Sequence, residues 1–381
     1  MKGDLQRIFA AHYDGYRRRH RVSLWQDRAA FKIRTCRTAA QGVHVRICPS
    51  GDYTEHYYNS CKHRSCPRCG GWETARWTQR QEKIALPTAY YHIIFTVPQE
   101  LNTLWRYNRK VFVGLFFKAA WQTLRTLFMD PHWVGGEPGA LGVFQSWGET
   151  LNVHPHLHVL VTAGGLNKQG QWAGARQSFL FPVHVLRTLF QGKLLFLLRE
   201  AVLRNKTLLP PAGQSVWFWR DEFHRLAAKK WNVHIQPPYH HPRGVIRYLA
   251  FYMHGGPISE SRIALNDRQE ITVSHKQSGD SPPGSLTLQM EEFLARFLAH
   301  VPPKGLRMVR SFGLFHHRAK KRLAMARCQL TGQPADDGHM EPEAATAAAT
   351  APGLRCPRCG ALLIVRRLTF RARAPPERLV A

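Results

Sequence analysis

The stretch Asn152-Val153-His154-Pro155-His156-Leu157-His158-Val159-Leu160-Val161 sets three alternating histidines at the head of an apolar run. Side chains alternate faces along a strand, so His156 and His158 project to one side, about 6–7 Å apart at Cα, while Leu157, Val159 and Val161 project to the other. The apolar face can then pack into a core and hold two imidazoles rigidly on the opposite face, where they can share a cation. His154 falls on the histidine face too. Pro155 lacks a backbone donor and marks a strand start or edge, which ranks His154 behind the other two. With 21 histidines in 381 residues, a His-x-His pair arises by chance about once. The weight therefore rests on three in alternation.

The rest of the chain says what such a site would act on. Lys and Arg total 54 against 25 Asp and Glu, a formal charge of +29 that exceeds what solubility requires and points to a polyanion. Basic runs at Arg17-Arg18-Arg19-His20-Arg21 and Arg318-Ala319-Lys320-Lys321-Arg322 are joined by many basic residues scattered among Trp, Tyr and Phe. That mixture suits single-stranded nucleic acid, whose phosphates need neutralising and whose bases stack. No apolar run approaches the ~18 residues of a membrane span, and the N-terminus lacks the apolar core of a signal peptide. The expected setting is the cytoplasm, with no membrane partner. A hydrophobic content of 44% supports a real core, and the length suffices for two or three domains.

Eight cysteines in such a chain read as metal ligands rather than disulfides. Residues 1–85 hold five of them and form an expected small zinc-binding, DNA-contacting module. Its knuckle, Cys61-Lys62-His63-Arg64-Ser65-Cys66-Pro67-Arg68-Cys69-Gly70, supplies Cys61, Cys66 and Cys69, and Cys48 is the expected fourth thiolate of a tetrahedral zinc site. His44, His63 and Cys36 remain as substitutes or members of a second site. Lys62, Arg64 and Arg68 lie inside the knuckle and are expected DNA contacts.

Strands alternate with helices over 86–280: strands at 90–97, 140–147, 156–163 and 231–235, helices at 109–129, 183–204 and 219–230, and a hairpin from 258–265 to 269–275. Strands separated by long helical insertions indicate an α+β domain built on an antiparallel sheet. A helix at 288–300 opens a basic extension over 281–334. Residues 335–381 read as a flexible linker and tail carrying one knuckle, Cys356-Pro357-Arg358-Cys359-Gly360, which has no second pair beside it and is not expected to hold metal alone.

In Gly244-Val245-Ile246-Arg247-Tyr248-Leu249-Ala250-Phe251-Tyr252, a short helix places Tyr248 and Tyr252 on one face with Cβ atoms about 5–6 Å apart. Together with the histidine block, the cysteine knuckle, Lys230-Trp231-Asn232-Val233-His234 and the trailing Gly255-Gly256-Pro257-Ile258, this run resembles the rolling-circle transposases of the HUH superfamily, specifically the IS-ninety-one type, over most of residues 28–315. The resemblance implies an HUH-type antiparallel sheet flanked by helices, with His156 and His158 on a central strand and the tyrosine helix packed alongside. It implies Tyr248 and Tyr252 as nucleophiles and a third metal ligand, for which Gln145 on the preceding strand is the candidate. Ser50 stands where some relatives have a second close cysteine after Cys48. Arg247, beside Tyr248, joins the expected DNA contacts.

The chemistry so implied is single-strand DNA cleavage and strand transfer at element ends and target, through a 5′-phosphotyrosine, with catalytic Mg or Mn and structural Zn. A phosphodiester repels incoming electron density, and a divalent ion relieves that repulsion. A plasmid replication initiator or relaxase would use the same chemistry in another role. A non-enzymatic zinc-dependent DNA-binding regulator would use none of it.

Overall fold

The computed structural model describes residues 3–175, 180–207, 209, 215–251, 256–266, 270–275, 283–333 and 355–368. Its first elements are two helices, α1 (Asp4–Arg19) and α2 (Leu24–Arg34). Leu5, Ile8, Phe9, Tyr13 and Tyr16 fall on one stripe of α1 and are all buried. Arg17, Arg18 and Arg19 close its last turn, where cations complement the helix dipole. A hairpin, β1 (Val43–Ile47) and β2 (Thr54–Tyr58), leads to the cysteine knuckle, and α3 (Gly70–Ile84) starts from Cys69 as its N-cap.

A larger sheet follows. Its elements are β3 (Tyr90–Thr96), α4 (Asn102–Tyr107), α5 (Arg109–Met129), β4 (Glu137–Trp147), β5 (Val153–Leu166), β6 (Trp172–Gly174), α6 (Val183–Leu203), α7 (Val216–Ala228), β7 (Val233–Ile235) and α8 (Pro242–Phe251). Three short strands, β8 (Ile263–Leu265), β9 (Ile271–His275) and β10 (Gly284–Leu288), form a second antiparallel sheet before α9 (Met290–Ala299). The chain then adds β11 (Val309–Gly313), α10 (Lys320–Thr331) and β12 (Ile364–Leu368).

The central sheet runs β11-β4-β5-β3-β7, antiparallel throughout, with β6 on the far end of β5. Alternation divides it cleanly. Leu157, Val159 and Val161 join Ile93, Phe95 and Phe144 in a core with Phe112, Phe116 and Phe190 of α5 and α6. Leu141, Val143 and Leu160, on the opposite face, pack with Trp77 of α3, Ile246 and Leu249 of α8, and Ala326 of α10. Full burial of each such aromatic or aliphatic side chain contributes about 1.5–3 kcal/mol, which makes a slip of register in β5 prohibitive. The fold is thus α+β with an antiparallel sheet, as the spacing predicts.

Structure runs across the boundaries expected at 85 and 280. Buried residues of α1 and α2 share one core with Ile258, Ile263, Ile271, Val273 and the α9 residues Phe293, Leu294, Phe297 and Leu298. Phe9 meets Phe297 edge-on at 5.2 Å between ring centroids. From the far side, β11 is hydrogen-bonded to β4 along Val309–Gly313, so part of the expected basic extension belongs to the central sheet. The tail also differs from expectation: β12 pairs with β1, from Val43↔Leu368 to Ile47↔Ile364. Residues 335–353 of the expected linker lie outside the described residues.

Candidate active site and metal centres

Register places Gln145 of β4 and Thr96 of β3 opposite His156, and Val143 and Ile94 opposite His158. The pairing of β4 with β5 shifts between Gln145↔His156 and Trp147↔Val153, so Pro155 sits in a bulge, where a missing N–H costs no ladder bond. It is therefore tolerated inside β5 rather than at the strand start or edge that the sequence suggests. Packing of Leu157 and Val159 into the opposite core holds the two histidines in place, and their rings lie 4.8 Å apart between centroids.

His156 has an acceptor at each ring nitrogen. Its Nδ1 lies 2.7 Å from the carbonyl oxygen of His154, and its Nε2 lies 2.9 Å from Gln145 Oε1. Burial pushes the His156 pKa down to about 4, so near neutral pH the ring has one N–H to give. With Nδ1–H given to the carbonyl of His154, the Nε2 lone pair faces Gln145 Oε1 in this orientation of the amide, whose nitrogen is buried without a partner; turning the amide would remove the confrontation. A divalent cation relieves such a confrontation. Neighbouring ligand atoms on an ion bonded at about 2.1 Å stand about 3 Å apart, so the His156 and Gln145 atoms fit one.

His158 is also held neutral, its pKa lowered chiefly by burial and further by the nearby His156. Its Nδ1 contacts Nε2 of His92 on β3 at 2.9 Å. With Nδ1 carrying the proton toward His92, Nε2 of His158 holds the lone pair that a metal ligand must offer. Sequence reasoning passed over His92, although its place two residues from Tyr90 and from Ile94 puts it on the histidine face once β3 is set beside β5. His234 of β7, opposite Ile94, stands exposed at the rim of the same face.

The tyrosine helix α8 packs over this face through Ile246 and Leu249. Tyr248 belongs to α8, but its side chain lies outside what is described, and Tyr252 lies wholly outside the described residues. Among the expected DNA contacts, Lys62 is exposed, and Arg247 is exposed with Glu82 3.8 Å away. Arg64 and Arg68 are turned to protein: Arg64 donates to the carbonyl of Leu306 at 3.4 Å, and Arg68 to Gln6 Oε1 at 3.0 Å.

Four cysteines converge in the knuckle: Cys36, Cys61, Cys66 and Cys69, with all sulfurs within 4.8 Å of one another. Cys36, not Cys48, completes the set. The amide of Arg37 donates to Asn59 O at 3.1 Å, so Cys36 and Cys61 flank one end of the β1–β2 hairpin. Cys48 follows β1 at the other end, about 15 Å away along a five-residue strand. Four thiols, three of them buried, drawn together within one sulfur cluster are the donor set of a closed structural zinc site, and the residues fit that ion.

Residues 139–322 match the family described as "Putative transposase", and residues 8–97 match "Transposase zinc-binding domain". "Putative transposase y4qJ" of Sinorhizobium fredii is 33% identical over 330 residues, covering 84% of this chain and 82% of that protein. "Transposase for insertion sequence element IS801" of Pseudomonas savastanoi pv. phaseolicola is 29% identical over 292 residues, 75% of this chain and 69% of that protein. No solved structure matches the chain. An α+β domain with a histidine-bearing sheet, preceded by a thiolate module, is therefore that of a DNA transposase, and the chain belongs to this family. Its zinc-binding domain and its IS801 relative make it, more particularly, a transposase of the IS-ninety-one type. Among the described residues no helix is long and apolar enough to cross a membrane.

Proposed function

We propose that this transposase cuts and rejoins one DNA strand by transesterification, with Tyr248 and Tyr252 as nucleophiles and His156, His158 and Gln145 as ligands of Mg or Mn. The observation that carries this reading is the shared sheet face: two neutral imidazoles, a facing amide oxygen and the packed α8 all lie on it. When bound there, the divalent ion supplies positive charge to a non-bridging phosphate oxygen.

The chain's own residues account for the rest. His92 and the carbonyl of His154 fix the ring orientations of His158 and His156, so the ligand nitrogens need no reorganisation when the phosphate arrives. A tyrosine oxygen attacks phosphorus, the bond from phosphorus to the 3′ oxygen breaks, and the proton lost by the phenol is balanced by the one gained at the new 3′-hydroxyl. The product is a 5′-phosphotyrosine. No water is consumed, so the energy of the ester is kept for rejoining, in which a 3′-hydroxyl attacks the phosphotyrosine and the phenol leaves. Two tyrosines allow one to hold a donor strand while the other cuts a second site, which suits rolling-circle transposition. Exposed Lys62 and Arg247 and the +29 charge favour a phosphate backbone as partner.

Incubating the full chain with a single-stranded oligonucleotide carrying an element end, in Mn or Mg, tests the proposal. A covalent adduct that shifts the protein on a denaturing gel is expected, lost in His156→Ala/His158→Ala and in Tyr248→Phe/Tyr252→Phe while binding persists. Tight binding of the oligonucleotide by the wild type with no adduct would refute it.

A further inference from the structure

The knuckle in the C-terminal tail repeats the one in the zinc module residue for residue: Cys66-Pro67-Arg68-Cys69-Gly70 and Cys356-Pro357-Arg358-Cys359-Gly360. The second copy has no thiol pair near it in sequence, yet the fold supplies it with a partner. Antiparallel pairing of β12 with β1 ends at Ile47↔Ile364 and brings Cys48, the next residue after β1, against the knuckle. Cys48 Sγ lies 3.3 Å from Cys359 Sγ, and the sulfurs of Cys48, Cys356 and Cys359 all lie within 4.8 Å of one another. Ser50 Oγ closes the group, 2.9 Å from Cys48 Sγ and 3.4 Å from Cys359 Sγ. Both turns are shaped for an ion. Gly51 and Gly360 take φ of 80° and 75°, and the amide of Arg358 points at Cys356 Sγ from 3.4 Å.

We propose that Cys48, Cys356 and Cys359 form a second zinc site, distinct from the Cys36–Cys61–Cys66–Cys69 site, with its fourth position beside Ser50 open to water. Three thiolates select a soft or borderline ion such as zinc over Mg or Mn. The surroundings explain why an ion is needed. Leu362, Ile364 and Val365 of the tail are each half or more exposed, so little apolar burial holds this segment to β1. A five-residue ladder without a core beneath it is marginal in water, and a metal bond between its end and the hairpin is what closes it. The site clasps the C-terminal tail onto the N-terminal module. Its three thiolates and open position make it the weaker of the two sites. This inference does not depend on the cleavage chemistry.

Metal analysis of the full chain, purified with a non-chelating reductant, tests it. Two zinc ions per chain are expected, falling to one in Cys356→Ser/Cys359→Ser. Cobalt substitution separates the sites: the double variant should keep only the spectrum of a four-thiolate ion. Should that variant fail to fold, Ser50→Cys decides, because a fourth thiolate should convert the weaker site to four-thiolate absorption and slow zinc release to a chelator about tenfold or more. One zinc per chain in both wild type and double variant would overturn the proposal. So would a Ser50→Cys cobalt spectrum unchanged from wild type, or a Cys48–Cys359 disulfide persisting in the reduced, zinc-supplied protein.

Discussion

Gly256 links the zinc module to the tyrosine helix, and replacing it with alanine is a sharp test of that link. Its amide donates to Arg64 O at 3.1 Å, inside the cysteine knuckle, and its φ of 79° lies in the left-handed region. A Cβ at this position would stand 2.5 Å from the carbonyl oxygen of Ser65, which belongs to the backbone and cannot swing away. Holding alanine left-handed costs about 1–2 kcal/mol, and loss of the hydrogen bond to Arg64 adds about 0.5–1.5 kcal/mol. Together these come to about 1.5–3.5 kcal/mol. At about 2–4 °C per kcal/mol, the figure for a domain of about 150–250 residues, Gly256→Ala should lower the melting temperature by about 3–14 °C. Gly192 serves as the control of opposite sign: it is exposed in the middle of α6 with open space around it, so Gly192→Ala should stabilise by about 1 kcal/mol. Scanning calorimetry of both variants, with adduct formation measured alongside, checks the reasoning. If Gly256→Ala melts within about 1 °C of the wild type, the knuckle does not grip the chain after α8, and the proposed coupling fails.

Three further outcomes follow from the same contacts. His300 is buried, accepts from Ser146 Oγ at Nδ1 and donates to the carbonyl of Leu151, and burial lowers its pKa from 6.5 to about 4. The unfolded chain takes up this proton as pH falls through 6.5 and the folded chain only near 4, so stability present above 6.5 is lost between those values, roughly 3 kcal/mol in all. His300→Gln keeps a donor and an acceptor but does not titrate, and denaturant melts from pH 7 to 4 should show a shallower loss; an unchanged slope would remove His300 from the account. His92→Ala removes the partner of His158 Nδ1 and should weaken Mn binding about 10–100-fold by calorimetry, with partial recovery in His92→Gln; equal affinities would mean that His92 does not orient the ligand. Cys36→Ser should abolish the four-thiolate cobalt spectrum and Cys48→Ser should leave it intact, and the reverse result would restore Cys48 to the knuckle.

How much of this was legible in the sequence depended on whether the deciding contact was local. Periodicity sufficed for α5, read at 109–129 and found at Arg109–Met129, because its apolar stripe and the strand it packs on are both continuous in sequence. The same signal is present in α1, where Leu5, Ile8, Phe9, Tyr13 and Tyr16 repeat at helical spacing. Choosing among Cys36, Cys48 and the tail knuckle needed knowledge of which end of a hairpin each cysteine occupies, which spacing alone does not hold. His92 was hidden for a similar reason: a histidine in a strand acquires meaning only when a neighbouring strand fixes its register. Gln145 enters only through the family resemblance, which implies a third ligand on the preceding strand; the pairing of β4 with β5 is what sets it opposite His156.

These placements have a consequence for the order in which the molecule comes apart. Cys69 is both a zinc ligand candidate and the N-cap of α3, whose Trp77 shares a core with Ile246 and Leu249 of α8. Arg64 and Ser65, in the same knuckle, grip Gly256 just beyond that helix. One cysteine cluster therefore braces α8 along its length and again beyond its end, while the histidine strand, which meets that core through Leu160 and Leu166, is held chiefly from the opposite face by α5 and α6. Removing zinc should loosen α8 before it disturbs the candidate metal ligands. Hydrogen exchange in the presence of a chelator is expected to speed up at the amides of α8 and α3 while those of β5 stay protected, and strand cleavage should fall further than Mn binding. If α8 keeps its protection while only α1 and α2 lose theirs, the cluster serves the N-terminal core alone and the bracing role is wrong.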